Sequence, residues 1–308
     1  MDNLCHSLIG MAMSRAGLNQ RTALATSTLV IANNLPDIDV AVFATDTLAM
    51  SFRRGWTHGV LAQATLPIAL TGAMLVYDRY RRKSPGDSRA VPSQILLLSY
   101  IGVLVHVFMD FTNSYGVRLL MPFSERWFYG DALYIIDPWL YLTLGLGWWL
   151  AKQHARPARI ALGIAAIYVA VMLVSNAMAR REVAAGLVRA GRPADTRFMV
   201  TPVVVNPFRR EVIVDVGDRY EKGNLWFDPL PHFRPAGFGV AKRIDRPEYQ
   251  SILQQPPARA YLRWSRFPFL QGVPDEQSSS VALWINDYRY ANAGPYGWSA
   301  VRLGTSIE

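Results

Sequence analysis

Residues 91–116 read VPSQILLLSYIGVLVHVFMDFTNSYG, and this stretch decides the fold. Val91–Phe111 is a run of 21 residues whose first charged side chain is Asp110. A helix rises about 1.5 Å per residue and a bilayer's hydrocarbon core is roughly 30 Å thick, so about 20 apolar residues make one crossing. The run is long enough. It closes on His106 and Asp110, four residues apart and therefore on one helix face. Ionisable groups are costly in a membrane segment, so their presence there points to function. Imidazole nitrogen and carboxylate oxygen together suit zinc, manganese or iron. The other reading is a hydrogen-bonded polar pair joining two helices.

Further apolar blocks lie on either side. His58–Tyr77 and Ile160–Ala179 each give 20 residues without Asp, Glu, Lys or Arg. Tyr134–Leu150 is shorter and carries Asp137 near its start. About four spans are expected. Upstream, Leu4–Ala16 and Thr22–Asn33 read as two short helices joined by Gly17-Leu18-Asn19-Gln20, each too short to cross. They form an N-terminal helical hairpin that dips into the membrane or packs on the bundle. Pro36 holds Leu35 extended and ends the second helix. Leu4–Met13 does not read as a signal peptide: Asp2 replaces a positive start and His6 interrupts the apolar run.

The chain has 308 residues, 51% of them hydrophobic, and a formal net charge of +9. Beyond Arg180 the charges scatter as in an ordinary soluble sequence. The expected division is therefore a membrane-embedded helical domain over residues 1–180 and a soluble C-terminal domain over residues 181–308. The fold class is mainly α: a polytopic helical membrane bundle followed by a small β or α+β domain. In that domain Met199–Val205, Glu211–Val216, Tyr261–Phe269 and Val281–Tyr288 have strand character, with prolines between them. A single cysteine, Cys5, rules out an internal disulfide.

The positive charge sits largely in short loops. Loop 78–92 carries Arg79, Arg81, Arg82, Lys83 and Arg89, and loop 151–159 carries Lys152, Arg156 and Arg159. Both should be cytoplasmic by the positive-inside rule. Loop 110–133 has only Arg118 and Arg126. The C-terminal domain is then non-cytoplasmic, on a bacterial inner (plasma) membrane, although Arg180 and Arg181 argue the other way. Membrane topology explains the basic charge without nucleic acid, and the expected partners are membrane lipids.

Five motifs put His or Asp beside apolar blocks: Asp2-x-x-x-His6, Asn34-Leu35-Pro36-Asp37-Ile38-Asp39, Arg54-Gly55-Trp56-Thr57-His58, His106-x-x-x-Asp110, and Asp131 with Asp137-Pro138. Taken singly, His58 reads as an interfacial cap, His6 as a satisfied histidine, and Asp37 and Asp39 as turn chemistry. Topology changes the reading. Alternating spans collect His58, His106, Asp110, Asp131 and Asp137 on the face opposite the Arg-rich loops. The hairpin brings His6 near Asp37 and Asp39 at its open end.

These motifs resemble the membrane-bound metal-dependent hydrolase family of bacterial inner-membrane proteins. The matching stretches are DNLCHSLIG (2–10), NLPDID (34–39), RGWTH (54–58), HVFMDFTNSYG (106–116), LLMPFS (119–124) and IIDP (135–138). Asn206-Pro207-Phe208 and Gly217-Asp218-Arg219-Tyr220 are similar too. The resemblance implies a metal site using His6, Asp37, Asp39, His58, His106 and Asp110, and hydrolase activity. Two positions depart from the pattern: Arg53 stands before Arg-Gly, and Gly59 stands where Ser often follows the histidine.

The cofactor expected is a divalent metal, zinc first, with manganese or iron as alternatives. Zinc in such a site lowers the pKa of water to about 7 for attack on an ester or phosphoester. Asp39 is the candidate catalytic residue, a carboxylate placed to accept the water's proton. A site at the membrane face favours a lipid or lipid-linked substrate. The main rival is a non-catalytic membrane protein with a structural metal or polar cluster and a partner-binding C-terminal domain. A transporter fits less well, because a pathway places polar groups near the midplane.

Overall fold

A computed structural model of the protein describes residues 1–45, 47–81, 88–274, 281–293 and 297–305. The chain divides into two compact units: Met1–Ala41 with Arg53–Asn176 and Pro202–Pro207, and Val42–Phe52 with Ala177–Thr201 and Phe208–Glu308.

The first unit begins with α1 (Asn3–Arg15), which starts where it does because the Asp2 carboxylate accepts the Leu4 and Cys5 N–H groups. Its buried residues include Cys5, His6, Ile9, Ala12 and Met13, the spacing of one helix face. Gly17, at φ 120°, breaks it. A return helix, α2 (Ala25–Ala32), leads through a 3-10 run at Leu35–Ala44 to the short α3 (Ala49–Phe52). The expected N-terminal hairpin is therefore present. Asn34 ties its open end, donating to Ser7 Oγ at 3.0 Å.

Then come α4 (Val60–Arg81), α5 (Pro92–Phe111), α6 (Pro138–Leu150) and α7 (Arg156–Arg189). Among the described residues, α4, α5 and α7 are long and apolar enough to cross a membrane. Gly102 lets α5 approach α2, since a Cβ there would collide with that of Ala32; small residues are what allow such approach.

The fourth expected span is shorter than its apolar block. Residues 134–137 are not helical, and α6 starts only at Pro138, behind the Asp137 cap. Its 13 residues rise about 20 Å, short of the roughly 30 Å core. It nevertheless carries the chain from one end of the unit to the other. Tyr141, near its start, donates to Asp2 at the start of α1. Beyond its end, the Ala151 and Lys152 carbonyls accept from Arg15, at the end of α1, both at 3.3 Å. At that same end Arg159 donates to the Ala16 carbonyl at 2.8 Å. The basic 151–159 loop thus lies at the end of α1 away from Asp2. Arg82 and Lys83 lie outside the described residues.

The second unit holds two sheets. One has four strands in the order β1 (Phe198–Pro202), β2 (Arg209–Asp215), β3 (Arg219–Phe227) and β4 (Pro231–Ala241); β2–β3 and β3–β4 pair antiparallel. After the short α8 (Gln250–Leu253) and α9 (Pro256–Trp264), β5 (Pro268–Pro274), β6 (Val281–Asp287) and β7 (Val301–Thr305) form an antiparallel three-stranded sheet. The consecutive buried Val212, Ile213 and Val214 show that β2 is covered on both faces. Val212 and Val214 pack with Ala179, Val183 and Leu187 of α7. Ile213 packs with Phe267 and Phe269 of the second sheet.

One expected strand is corrected here. Tyr261–Phe269 is helical through Trp264, and extended pairing starts at Pro268. Pro256 opens the helix, and Ala258, Tyr261 and Trp264 bury one face at three-residue spacing. Helical period outweighs the strand preference of the aromatics.

Candidate metal centre

Four side chains from three elements converge on one point. The 3-10 run brings Asp37, the turn before α4 brings His58, and the last two turns of α5 bring His106 and Asp110. One ligand atom from each of these buried side chains lies within 4.8 Å of all the others. His58 Nε2 is 3.2 Å from His106 Nε2 and 3.2 Å from Asp110 Oδ2. His106 Nε2 is 3.6 Å from Asp110 Oδ2. Asp37 Oδ1 completes the group at 3.8 Å from His58 Nε2 and 3.9 Å from His106 Nε2.

Hydrogen bonds around the group decide what these atoms can do. His106 Nδ1 meets the Asn33 carbonyl at 2.7 Å. A carbonyl only accepts, so Nδ1 carries the proton and Nε2 presents a lone pair. His58 Nδ1 lies 3.0 Å from Thr57 Oγ1, whose hydroxyl donates to Asp39 Oδ2 at 3.2 Å. With the hydroxyl proton committed to Asp39, His58 donates through Nδ1, and its Nε2 is also a lone pair. Two lone pairs and two carboxylate oxygens therefore point at one another. Such an array has no proton shared among its own four atoms and fits a cation. Ligands about 2.0–2.1 Å from a tetrahedral zinc would stand roughly 3.3–3.4 Å apart, within the observed range of spacings.

Two arginines brace the carboxylates from outside the group. Arg54 donates to Asp110 Oδ1 at 3.0 Å and to Asn113 Oδ1 at 2.9 Å. Its backbone is left-handed, φ 54°, a conformation that costs a non-glycine residue on the order of 1–3 kcal/mol and here turns the guanidinium inward. Arg53 reaches Asp37 Oδ1 at 3.3 Å and Asp39 Oδ1 at 3.2 Å. Burial works to lower the Arg53 pKa, but Asp39 and Asp37 outweigh it and raise it. The Met1 nitrogen also contacts Asp110 Oδ1.

The remaining expected residues lie outside this group of four and have contacts of their own. His6 stacks on His106 with ring centroids 3.8 Å apart and approaches Asp110 Oδ1 at 3.3 Å, on the oxygen turned away from the group. Asp39 accepts from the Arg54 N–H at 2.7 Å as well as from Arg53 and Thr57, and stands 3.6 Å from His58 Nδ1. Asp137 caps α6 and accepts from Tyr168 at 2.9 Å. Asp131 is buried two residues before Leu133, at φ 52°. The Gly59 departure has a steric reason, since a Cβ there would collide with the Met121 carbonyl. The motifs do not show the part of Asn33 or the bracing roles of Arg53 and Arg54. The arginines carried a signal, a charged pair beside a histidine at the mouth of an apolar block; Asn33, acting through its backbone, carried none.

The uncharacterized protein YfhP of Bacillus subtilis (strain 168) is 23% identical over 152 residues, 46% of this chain and 44% of that relative. The chain thus matches less than half the length of that curated relative. No solved structure matches. A family model described as YdjM inner membrane protein matches residues 1–179, the whole stretch that builds the centre and more than half of the chain. The chain belongs to the YdjM inner membrane protein family.

Proposed function

We propose that Asp37, His58, His106 and Asp110 hold a divalent ion and that the protein is a membrane-bound hydrolase of an ester or phosphoester. The observation behind this reading is the convergence of four acceptor atoms with both imidazole protons committed outward. Two imidazoles and two carboxylates suit zinc first, with manganese or iron as alternatives. When bound, such an ion supplies Lewis acidity toward a carbonyl or phosphoryl oxygen and activates water.

The chain's own groups do the rest. Asn33 and Thr57 hold the imidazoles in the ligand tautomer, as outer partners of metal-binding histidines do. The Arg53 side chain is 22% exposed, against 2% or less for the carboxylates it binds. It sets positive charge on the accessible side, where an anionic group would be oriented. Asp39 is either the base or the group that positions His58. Loss of turnover with metal retained in Asp39→Asn identifies a base; joint loss of metal and turnover identifies a positioning or ligand role.

Full burial of all four ligands favours a second reading, a closed structural site. Screening the zinc- or manganese-loaded protein against lipid and soluble esters and phosphoesters separates the two. Turnover that disappears in His106→Ala supports the hydrolase. Bound metal without turnover on any class, and full biological complementation by the ligand variants, supports the structural site.

The proposed topology has four passes, with α6 as a short crossing, the basic loops cytoplasmic and the C-terminal unit on the opposite side. Single cysteines replacing Ser88 and Asp195 in a Cys5→Ala background test it. Labelling of position 195, and not of position 88, by an impermeant reagent on spheroplasts is expected. The reverse pattern inverts the orientation.

A further inference from the structure

Beside the metal centre the first unit contains a groove of about 420 Å³ between α1, α5, α6 and α7. Every residue lining it is apolar. Its floor is core: Ile9, Met13, Met109, Leu140, Leu144 and Val169 are buried. Its rim is not, because Phe108, Ala166 and Ala170 are exposed.

Along α5 the groove's Val105 and Met109 adjoin His106 and Asp110 of the centre. Ile9 is one turn beyond His6 on α1. Leu140 is one turn past Asp137 on α6. From there it runs away from the centre. Met13 lies seven residues beyond His6, about 10 Å along the helix, and the α7 wall from Leu162 to Leu173 covers about 16 Å.

Protein interiors are close-packed, so a gap of this size between four helices needs an occupant. Water is a poor one, since a buried water needs two to four polar partners and the lining offers none. A hydrocarbon chain is chemically matched. Within a bilayer such chains surround the exposed rim, and nothing drives an apolar cleft to close against them.

We infer that this groove holds the hydrocarbon chain of an amphiphilic ester drawn from the bilayer, with its ester or phosphoester head at the metal centre. The inference rests on the hydrolase reading for the role of the head, and on the groove alone for the chain. It narrows the substrate class to membrane lipids with at least one long acyl or isoprenoid chain.

The test uses the full-length protein in nanodiscs with a phospholipid carrying a diazirine at the end of one acyl chain. After irradiation, peptide mass spectrometry locates the label. Ile68 and Ile167, outward-facing and 58% and 67% exposed, report ordinary lipid contact. The expected result is labelling of Met13 and Leu144 above that background. It should fall at least fivefold in Ala170→Trp, where the new side chain fills the rim, while labelling of Ile68 is kept. Ala170→Leu is the milder variant if the indole disturbs folding. Label on Met13 and Leu144 at or below background overturns the inference, as do cross-links there to a second copy of the chain. Cleavage assays separate the two readings. Groove labelling without cleavage of any ester removes the hydrolase and leaves the chain site. Cleavage of long- and short-chain esters in a ratio that Ala170→Trp does not change removes the chain site and leaves the hydrolase.

Discussion

Each unit of the protein buries an aspartate beside an arginine, and the two pairs are built to opposite ends. In the C-terminal unit, Asp287 is surrounded by donors. It accepts from Ser265 Oγ at 2.5 Å, from the Arg266 N–H at 2.8 Å, and from Nε and Nη2 of Arg289 at 2.9 Å each. In the first unit, Asp110 takes Arg54 on one oxygen and turns the other toward the lone pairs of His58 and His106. A saturated buried carboxylate fixes a fold. One that faces other acceptors is a poor structural element by itself and a good ligand. Burial is the same in both, at 0% exposure, so burial alone does not identify a site; the sign of the neighbours does.

Removing the saturated carboxylate should have the largest effect on folding. Asp287→Ala strands a buried guanidinium, and breaking a buried pair costs about 3–5 kcal/mol. The C-terminal unit should lose protection from proteolysis, with metal content unchanged. Loss of metal together with that protection would mean that the two carboxylates do not act separately.

Changing the outer partners of the histidines should act on the other side of the contrast. Thr57→Val removes the hydroxyl between His58 and Asp39. Such outer-shell changes weaken metal affinity by about 10–100-fold. Competition with a chelator should show that shift, with proteolysis of the C-terminal unit unaltered. Unchanged affinity would mean that the Thr57 relay does not set the His58 tautomer.

Acid gives the smallest effect. Burial alone would raise the Asp287 carboxyl, but the charge and hydrogen bonds of Arg289, with Ser265, hold it below the ordinary value of 3.8. A depressed carboxyl stabilises the folded state fully above the unfolded pKa, and the contribution is lost as pH falls through the folded one. Below about pH 4, resistance of the C-terminal unit to unfolding should decline by up to about 1.4 kcal/mol per pH unit from this group. Asp287→Asn should flatten that slope. An equally steep slope in the variant would assign it elsewhere.

How much of this was legible follows from how each residue reaches its place. His106 and Asp110 share a helix, and a period of 3.6 aligns them whatever the helix packs against. Asp37 sits in a 3-10 run and His58 in the turn before α4, so their motifs marked them but only packing could show which oxygen and nitrogen point inward. Spacing could not place His6, whose ring stacks on His106 with its nitrogen on the far oxygen of Asp110. The length of α6 was hidden for a related reason. Its apolar block continues upstream of Asp137, but the cap and the following proline start the helix there. In the second unit, Tyr261–Trp264 looked strand-like by composition, and the three-residue burial spacing that makes it helical emerges only against its neighbours.

The most direct measurement is the metal content of the detergent-purified protein by plasma mass spectrometry, with His106→Ala and Asp287→Asn prepared in parallel. The expected result is stoichiometric divalent metal in the parent protein and in Asp287→Asn, and its loss in His106→Ala. A parent protein that stays metal-free after incubation with zinc, manganese or iron, or a folded His106→Ala protein that keeps its metal, would contradict the assignment of this centre.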